Sequence, residues 1–207
     1  GSALVAMSAA GDLSGIGNNF YANDNAIIKI NQNLIDNTAT WRNFGLPYLA
    51  MGEIKIAPGG ILNVKPGVFV RWDFYYSRLL NLGELNINGL FDAPVVFTSW
   101  SDTPWVDGTY WGGVVFENDS TGSVNYLTIK NSGAYYTDWN GIYYNHVEHH
   151  TMRITDAGPA INHLTIENSI TNGINMTGAA SPVIENCAIK NSAMWGVLSE
   201  SLEIVIL

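Results

Sequence analysis

The hexapeptide LTIKNS at residues 127–132 returns as LTIENS at residues 164–169 and as CAIKNS at residues 187–192. The step from the second copy to the third equals the step from Leu62 to Leu85 in the first half of the chain. A period of about 23 residues is too long for a hairpin, and its strand-like runs contain no helical spacing. The sequence therefore predicts a repeat architecture built from short strands.

Each period fits one turn of a coil. Alternate residues such as Leu164 and Ile166 point inward, and each strand pairs in parallel with the strand one period later, so that the chain path itself supplies the crossover. Asn131, Asn168 and Asn191 fall at the same corner, where Asn tolerates a left-handed backbone and where side-chain amides can bond to one another along the coil. An antiparallel sandwich is the alternative, because its strands also recur with turn signals. The fixed register of the copies favours the coil.

Composition narrows the function classes. The 207 residues include nine Lys and Arg and 18 Asp and Glu, a net charge of −9, which argues against a nucleic-acid partner or an anionic membrane surface. The apolar fraction of 47% supports a packed core, while only 13% charged residues, with 23 Asn and 21 Gly, favours short strands and tight turns. No apolar run reaches the roughly 18 residues that a membrane helix needs, so we expect no membrane insertion.

The chain divides into two parts. Residues 1–40 are expected to form an N-terminal extension with a cap strand, because the end of a coil exposes apolar core and needs an atypical unit. Residues 41–207 are expected to form the coil itself. The apolar run at residues 201–207 suggests a chain that continues into other domains of a larger surface protein. The single Cys187 lies in a strand-like run, which predicts a buried, inert thiol.

The most specific motifs follow one another between residues 41 and 116. They are IKIAPGGILNVKPGV at 54–68, GELNING at 83–89, DAPVVFTS at 92–99 and YWGGVVF at 110–116. This series resembles the right-handed parallel β-helix domains of large secreted or cell-surface bacterial proteins, which belong to the pectate-lyase-like superfold. The resemblance covers residues 41–200 and implies an all-β, right-handed, single-stranded parallel β-helix of about six turns. It implies no single function, because the superfold includes lyases, hydrolases, sugar-binding modules, adhesins and stalks.

Two turns of the coil are enlarged by insertions, at residues 100–111 and 133–153. Insertions in a repeat map to surface loops and often carry binding. These loops are rich in aromatic residues, whose rings can pack on the apolar face of a sugar while neighbouring polar groups bind its hydroxyls. The alternative is that the rings only cover the coil, as we expect for Trp111. The candidate ligand-binding residues are Trp100, Trp105, Tyr135, Tyr136, Trp139, Asp102, Asp107 and Asp138.

The second insertion also contains the run His146-Val147-Glu148-His149-His150. In an extended segment His146, Glu148 and His150 share one face and could hold Zn²⁺ through two imidazoles and a carboxylate. A solvated loop is the alternative. The three aspartates named above could in the same way hold Ca²⁺, which prefers clustered oxygen ligands.

These observations favour a non-catalytic polysaccharide-binding module of a secreted or surface-attached bacterial protein. The first alternative is a structural or adhesive scaffold that contacts other proteins. The second is a polysaccharide lyase or glycoside hydrolase, in which Arg153 with His146 or Glu148 would act. The short signatures of polygalacturonase-like enzymes are absent, and an acidic chain would repel an acidic polymer, so catalysis is the weaker hypothesis.

Overall fold

A computed structural model describes residues 5–8, 26–101, 110–139, 144–148, 150–200 and 205–206, with the backbone alone at 5–8, 31–32, 135–139, 144–148 and 205–206. This part of the chain is all β. The strands are β1 Val5–Ser8, β2 Ile28–Gln32, β3 Leu34–Ile35, β4 Thr38–Trp41, β5 Tyr48–Ala50, β6 Glu53–Ile56, β7 Ile61–Val64, β8 Phe69–Trp72, β9 Arg78–Asn81, β10 Glu84–Asn88, β11 Val95–Ser99, β12 Val114–Glu117, β13 Thr121–Asn125, β14 Leu127–Ser132, β15 Tyr135–Trp139, β16 Tyr144–Glu148, β17 Met152–Thr155, β18 Ala160–Asn162, β19 Thr165–Ser169, β20 Ile174–Thr177, β21 Val183–Glu185, β22 Ala188–Lys190, β23 Val197–Ser199 and β24 Val205–Ile206.

Three parallel sheets contain all of these strands except β15 and β16. The first sheet has the order β1-β2-β5-β8-β11-β14-β19-β22. The second has the order β23-β20-β17-β12-β9-β6-β3, and the third β24-β21-β18-β13-β10-β7-β4. From β2 onward, consecutive strands belong to the first, the second and the third sheet in that order, and this order repeats to β24. Only the β15–β16 hairpin, between β14 and β17, stands outside it. This arrangement of curled parallel sheets is compatible with a parallel β-helix.

The predicted repeat is present as strand register. Leu62 pairs with Leu85 between β7 and β10, and the step from one strand to the other is 23 residues. Ile166 pairs with Ile189 between β19 and β22 at the same spacing. The repeat period thus corresponds to the step from one strand to its parallel neighbour.

Strand register is kept where the spacing is larger. Between β14 and β19 the step grows to 37 residues, and Ile129 still pairs with Ile166. The extra length lies between β14 and β17. Residues 100–113, between β11 and β12, form the other long connection. Both segments join the first sheet to the second, on successive turns, so the two predicted insertions leave the coil at the same corner.

Alternating side chains build the core, as the sequence pattern predicts. Inward positions on β6, β7 and β8 are fully buried while their neighbours are partly exposed. Trp72 and Trp111 stack inside the coil with ring centroids 4.7 Å apart and planes 4° from parallel. The Trp111 indole N–H donates to the Lys130 carbonyl at 3.1 Å. Trp111 is therefore a structural residue, as expected from the sequence, although it packs inside the core and does not cover the coil from outside.

The predicted asparagine column is also present. Asn131, Asn168 and Asn191 all have left-handed backbone, with φ of 50°, 59° and 57°. The Asn168 amide donates to the Asn131 side-chain oxygen at 3.2 Å, and the Asn191 amide donates to that of Asn168 at 3.1 Å. A left-handed corner on each turn is thus tied to the next turn by a side-chain hydrogen bond.

Glycine is required where two turns approach most closely. Gly113 has φ of +85°, and a Cβ built on it would collide with the carbonyl oxygens of His150 and Thr151 on the next turn. Only glycine fits both the backbone conformation and the contact. Gly113 therefore lets β12 begin in register directly after the first insertion.

Candidate functional site

Exposed aromatic side chains concentrate at one corner of the coil. We call the connections from the first sheet to the second the aromatic corner. The large aromatic side chains that are exposed in the described part of the chain are Phe74, Tyr75, Tyr76, Phe91, Trp100 and Trp195. All but Phe91 lie at this corner. The corner includes both predicted insertions and also the shorter connections on neighbouring turns.

The connection from β8 to β9 holds three of these rings in a tight turn. The Ser77 hydroxyl donates to an Asp73 carboxylate oxygen at 2.5 Å and accepts the Phe74 backbone N–H at 3.2 Å. Phe74 and Tyr76 stack at 5.5 Å, and Tyr75 packs edge-on against Tyr76 at 5.3 Å. The turn thus presents a fixed aromatic surface to solvent.

None of the predicted ligand residues lies in this turn. Its signal is three consecutive aromatic residues, 74–76, in the short connection between β8 and β9. The connection is short, so a search for insertions passes over it.

Among the predicted ligand residues, Trp100 is the one whose side chain the structure describes. It directly follows β11, and its backbone N–H donates to the Trp72 carbonyl at 2.7 Å. The side chain is 47% exposed. The guanidinium carbon of Arg71 lies 5.6 Å from the Trp100 ring centroid and 5.6 Å from that of Phe69. Trp100 therefore stands at the end of a short row of rings on the outer face of the first sheet.

Trp195 extends the aromatic corner toward the other end of the coil. Its backbone N–H donates to the Asn172 side-chain oxygen at 3.0 Å, and its carbonyl accepts the Gly173 N–H at 2.9 Å. The side chain is 65% exposed, the highest value among the aromatic residues of the corner that the structure describes. These bonds hold the backbone of an exposed indole against the preceding turn.

The second insertion forms an antiparallel hairpin of β15 and β16. Tyr135 and Tyr136 pair with Glu148 and Val147. Asp138 and Trp139 also lie in β15. The backbone places these predicted residues together at the aromatic corner. The predicted residues Asp102, Trp105 and Asp107 lie outside the described residues, as do the contacts that would define a Ca²⁺ site.

The predicted zinc residues divide between two segments. His146 and Glu148 lie two positions apart in β16. His150 is buried, outside that strand and two residues before β17. Among the side chains that the structure describes, no three His, Cys, Asp or Glu come together as a metal site. The zinc site stays a prediction.

Arg153, the basic residue named above for catalysis, and the two lysines Lys130 and Lys190 form ion pairs. The Arg153 guanidinium binds the Glu117 carboxylate across the second sheet. Lys130 and Lys190 lie 3.4 Å and 3.6 Å from the two oxygens of the Glu167 carboxylate. These cations thus pair with carboxylates on the second and first sheets.

Cys187 is a partly buried thiol. Its S–H donates to the Glu185 carbonyl at 3.1 Å. Burial raises the pKa of the Cys187 thiol above its ordinary value. A raised pKa keeps the thiol protonated near neutral pH, which is typical of an inert cysteine.

Comparison of the chain with known protein families, with curated proteins and with solved structures found no match. The described residues also include no helix of the length and apolarity needed to cross a bilayer.

Proposed function

We propose that this chain is a segment of a right-handed, single-stranded parallel β-helix, with about six turns after its opening strands, that acts as a non-catalytic polysaccharide-binding module. We further propose that it belongs to a secreted or surface-attached bacterial protein. The supporting observation is the concentration of exposed aromatic rings at one corner of the coil, at Tyr76, Trp100 and Trp195.

The spacing of a coil suits an extended ligand. Neighbouring parallel strands are about 4.8 Å apart, so four turns from Tyr76 to Trp195 span about 19 Å along the coil. A polysaccharide lying along the corner would meet one ring after another, each able to pack on the apolar face of a sugar. Exposed apolar area of this kind is costly in water and often marks a binding surface.

A structural or adhesive scaffold is the second candidate. The last turn exposes the apolar side chains of Val183, Met194 and Val197, which could pack against another protein. An enzyme is disfavoured because Arg153, Lys130 and Lys190 already pair with carboxylates.

The test is retention on a panel of soluble and insoluble polysaccharides, with and without chelator, together with an assay of the supernatant for new sugar ends. We expect retention without products. Loss of retention with chelator would add a structural cation, and new sugar ends would favour the enzyme. The absence of both retention and products would favour the scaffold.

Matched variants locate the surface. Trp100→Ala and Tyr76→Ala should each weaken retention about tenfold, the effect of losing a central aromatic contact. Phe91→Ala removes an exposed ring at another corner and should have no effect. Equal losses in all three variants would contradict a surface at the aromatic corner.

A further inference from the structure

Arg71 differs from the paired cations described above. Its Nε atom is buried and has no hydrogen-bond partner among the described residues. Arg71 also forms no ion pair within that part of the chain, in contrast to Arg78, Lys130, Arg153 and Lys190. A guanidinium that is partly removed from water without an acceptor is energetically unfavourable, and an incoming anion would relieve that cost.

The aromatic rings on either side hold this guanidinium in place. Arg71 lies two positions after Phe69 on the same face of β8, and Trp100 directly follows the neighbouring strand β11. Both ring centroids lie 5.6 Å from the Arg71 guanidinium carbon. Contacts with the faces of rings restrict the planar group without satisfying its N–H donors. The terminal N–H groups, which have no acceptor among the described residues and unlike Nε are not among the buried unpaired atoms, therefore stay available for a ligand.

Arg71 also lines an open groove. The groove has a volume of about 390 Å³, within the range of pockets that take small ligands. Its walls are formed by backbone turns, two side chains of β8 and a polar amide, namely Asn43, Gly45, Leu46, Pro47, Gly67, Phe69 and Arg71. One charged group beside apolar and amide surface is the composition expected for a sugar that carries a charge.

The local charge is opposite to that of the whole chain. Residues 26–71 contain five of the nine cations and two of the 18 acids, a net charge of +3 in a chain of net charge −9. Lys29 and Arg71 lie on the same face of the first sheet, because each is in register with Leu49. Lys29 therefore adds a second positive charge to the face of the sheet that carries Arg71.

We infer that the Arg71 groove binds an anionic substituent, a carboxylate or a sulfate, on a sugar of the bound polysaccharide. The guanidinium donates to the oxyanion in the bidentate geometry that arginine favours, and the sugar ring contacts Phe69 and the open side of Trp100. This inference rests on the proposed function and assigns the bound polysaccharide to a charged class.

The test compares polymers that share a backbone and differ in charge. Dextran, carboxymethyl-dextran and dextran sulfate form one set, and hydroxyethyl-cellulose, carboxymethyl-cellulose and cellulose sulfate form the other. Affinity electrophoresis with the full chain should show tighter binding to a charged form than to the neutral form of at least one backbone. The carboxymethyl and sulfate arms identify which anion is preferred.

Variants separate a specific site from a general field. Arg71→Gln should weaken binding of the preferred charged polymer about 10- to 100-fold, the loss expected for a hydrogen bond to a charged group, and should weaken binding of the neutral form far less. Lys190→Gln makes the same change in net charge at a side chain 61% exposed, far along the coil, and should have little effect. In 1 M NaCl, where the Debye length is about 3 Å, the preference for the charged polymer should shrink.

Each contrary result has a distinct meaning. Equal binding of neutral and charged forms would overturn the anionic site and leave the proposed function standing. Equal losses in Arg71→Gln and Lys190→Gln would overturn it in favour of a diffuse field. Failure to bind any polymer of the full panel would remove the proposed function together with the inference.

Discussion

At the scale of single residues, the corners of the coil are held by side chains that do two things at once. Asn168 adopts a left-handed backbone conformation and bonds to an equivalent residue on each side. Left-handed geometry costs an ordinary residue about 1–2 kcal/mol, and Asn lowers that cost by bonding locally. The same side chain therefore permits the turn and connects it to its neighbours.

Asn168→Ala and Asn168→Gly should separate these two contributions. The alanine variant loses both side-chain hydrogen bonds and strains the backbone, and we expect a loss of about 2–3 kcal/mol in the free energy of unfolding. The glycine variant avoids the strain, so it should be less destabilised by about 1 kcal/mol. Urea denaturation of the two proteins measures the difference. Equal destabilisation would show that backbone strain plays no part.

Cys187 should react slowly with alkylating reagents in the folded protein. The pH at which its alkylation rate rises should be higher than in the unfolded chain. Because burial raises its pKa, the folded protein contains less thiolate at a given pH than the unfolded chain. The alkylation rate should therefore rise at higher pH for the folded protein than for the protein in urea. Coinciding profiles would contradict the burial of the thiol.

The raised pKa of Cys187 also makes the free energy of unfolding depend on pH. The folded state holds the Cys187 proton to higher pH than the unfolded state, so unfolding becomes easier as pH rises above the thiol's ordinary pKa and levels off above its folded pKa. Cys187→Ser should remove this thiol's contribution to the alkaline loss of stability, which pH-dependent urea denaturation can measure.

At the scale of elements, β12 shows how a strand returns to register after a long loop. Gly113 makes the close backbone approach, and Trp111 packs its ring on Trp72 while bonding to the Lys130 carbonyl. The entry to the strand is thus fixed by contacts with the turns on either side. The length of the preceding loop does not alter those contacts.

Replacing Trp111 tests this account of strand entry. Trp111→Ala should lower the free energy of unfolding by about 3–5 kcal/mol, because it leaves a large cavity in a closed core. Trp111→Phe keeps a stacked ring and loses the N–H donor, so its cost should be smaller. Thermal and urea denaturation measure both variants, and a tolerated alanine would show that the ring does not anchor β12.

Strand pairing was predictable from the sequence because it depends on a local pattern repeated at fixed spacing. Leu62 with Leu85 and Ile166 with Ile189 are paired as the repeat period predicts. The Asn131 column was predictable for the same reason, since one residue type recurs at one corner.

The site was less predictable because its contacts join residues at unequal spacings. Arg71 meets Trp100 only because β8 and β11 are neighbours, and the pairing of Val70 with Phe97 departs from the repeat period. No regular spacing indicates that contact. The hydrogen bonds of a short turn determine which faces of Phe74 and Tyr76 reach solvent. Those bonds cannot be predicted from composition.

At the scale of the whole molecule, each turn contacts mainly the turns next to it, as in other repeat proteins. Stability then depends on position along the coil. In the described structure β22 and β23 have a partner strand on one side only. The side chains of β22 and β23 are partly or fully exposed, whereas central positions such as Phe97 are fully buried.

Hydrogen exchange should follow this gradient. Amides of β22 and β23 should exchange faster than those of β8 and β11, because local opening there breaks pairing on one side and exposes little core. Exchange measured by mass spectrometry on peptides from both regions tests the expectation. Uniform protection along the chain would instead show that the coil opens as one cooperative unit.

The placement of both long connections on successive turns of one corner has a consequence for how such a protein can change. Ile129 still pairs with Ile166 although the chain between them is much longer than the chain between Ile166 and Ile189. Because pairing tolerates that extra length, segments at this corner can be lengthened, shortened or exchanged while the strands beside them stay in place. The corner is therefore a natural point for grafting, where new recognition loops can be introduced without redesigning the supporting coil.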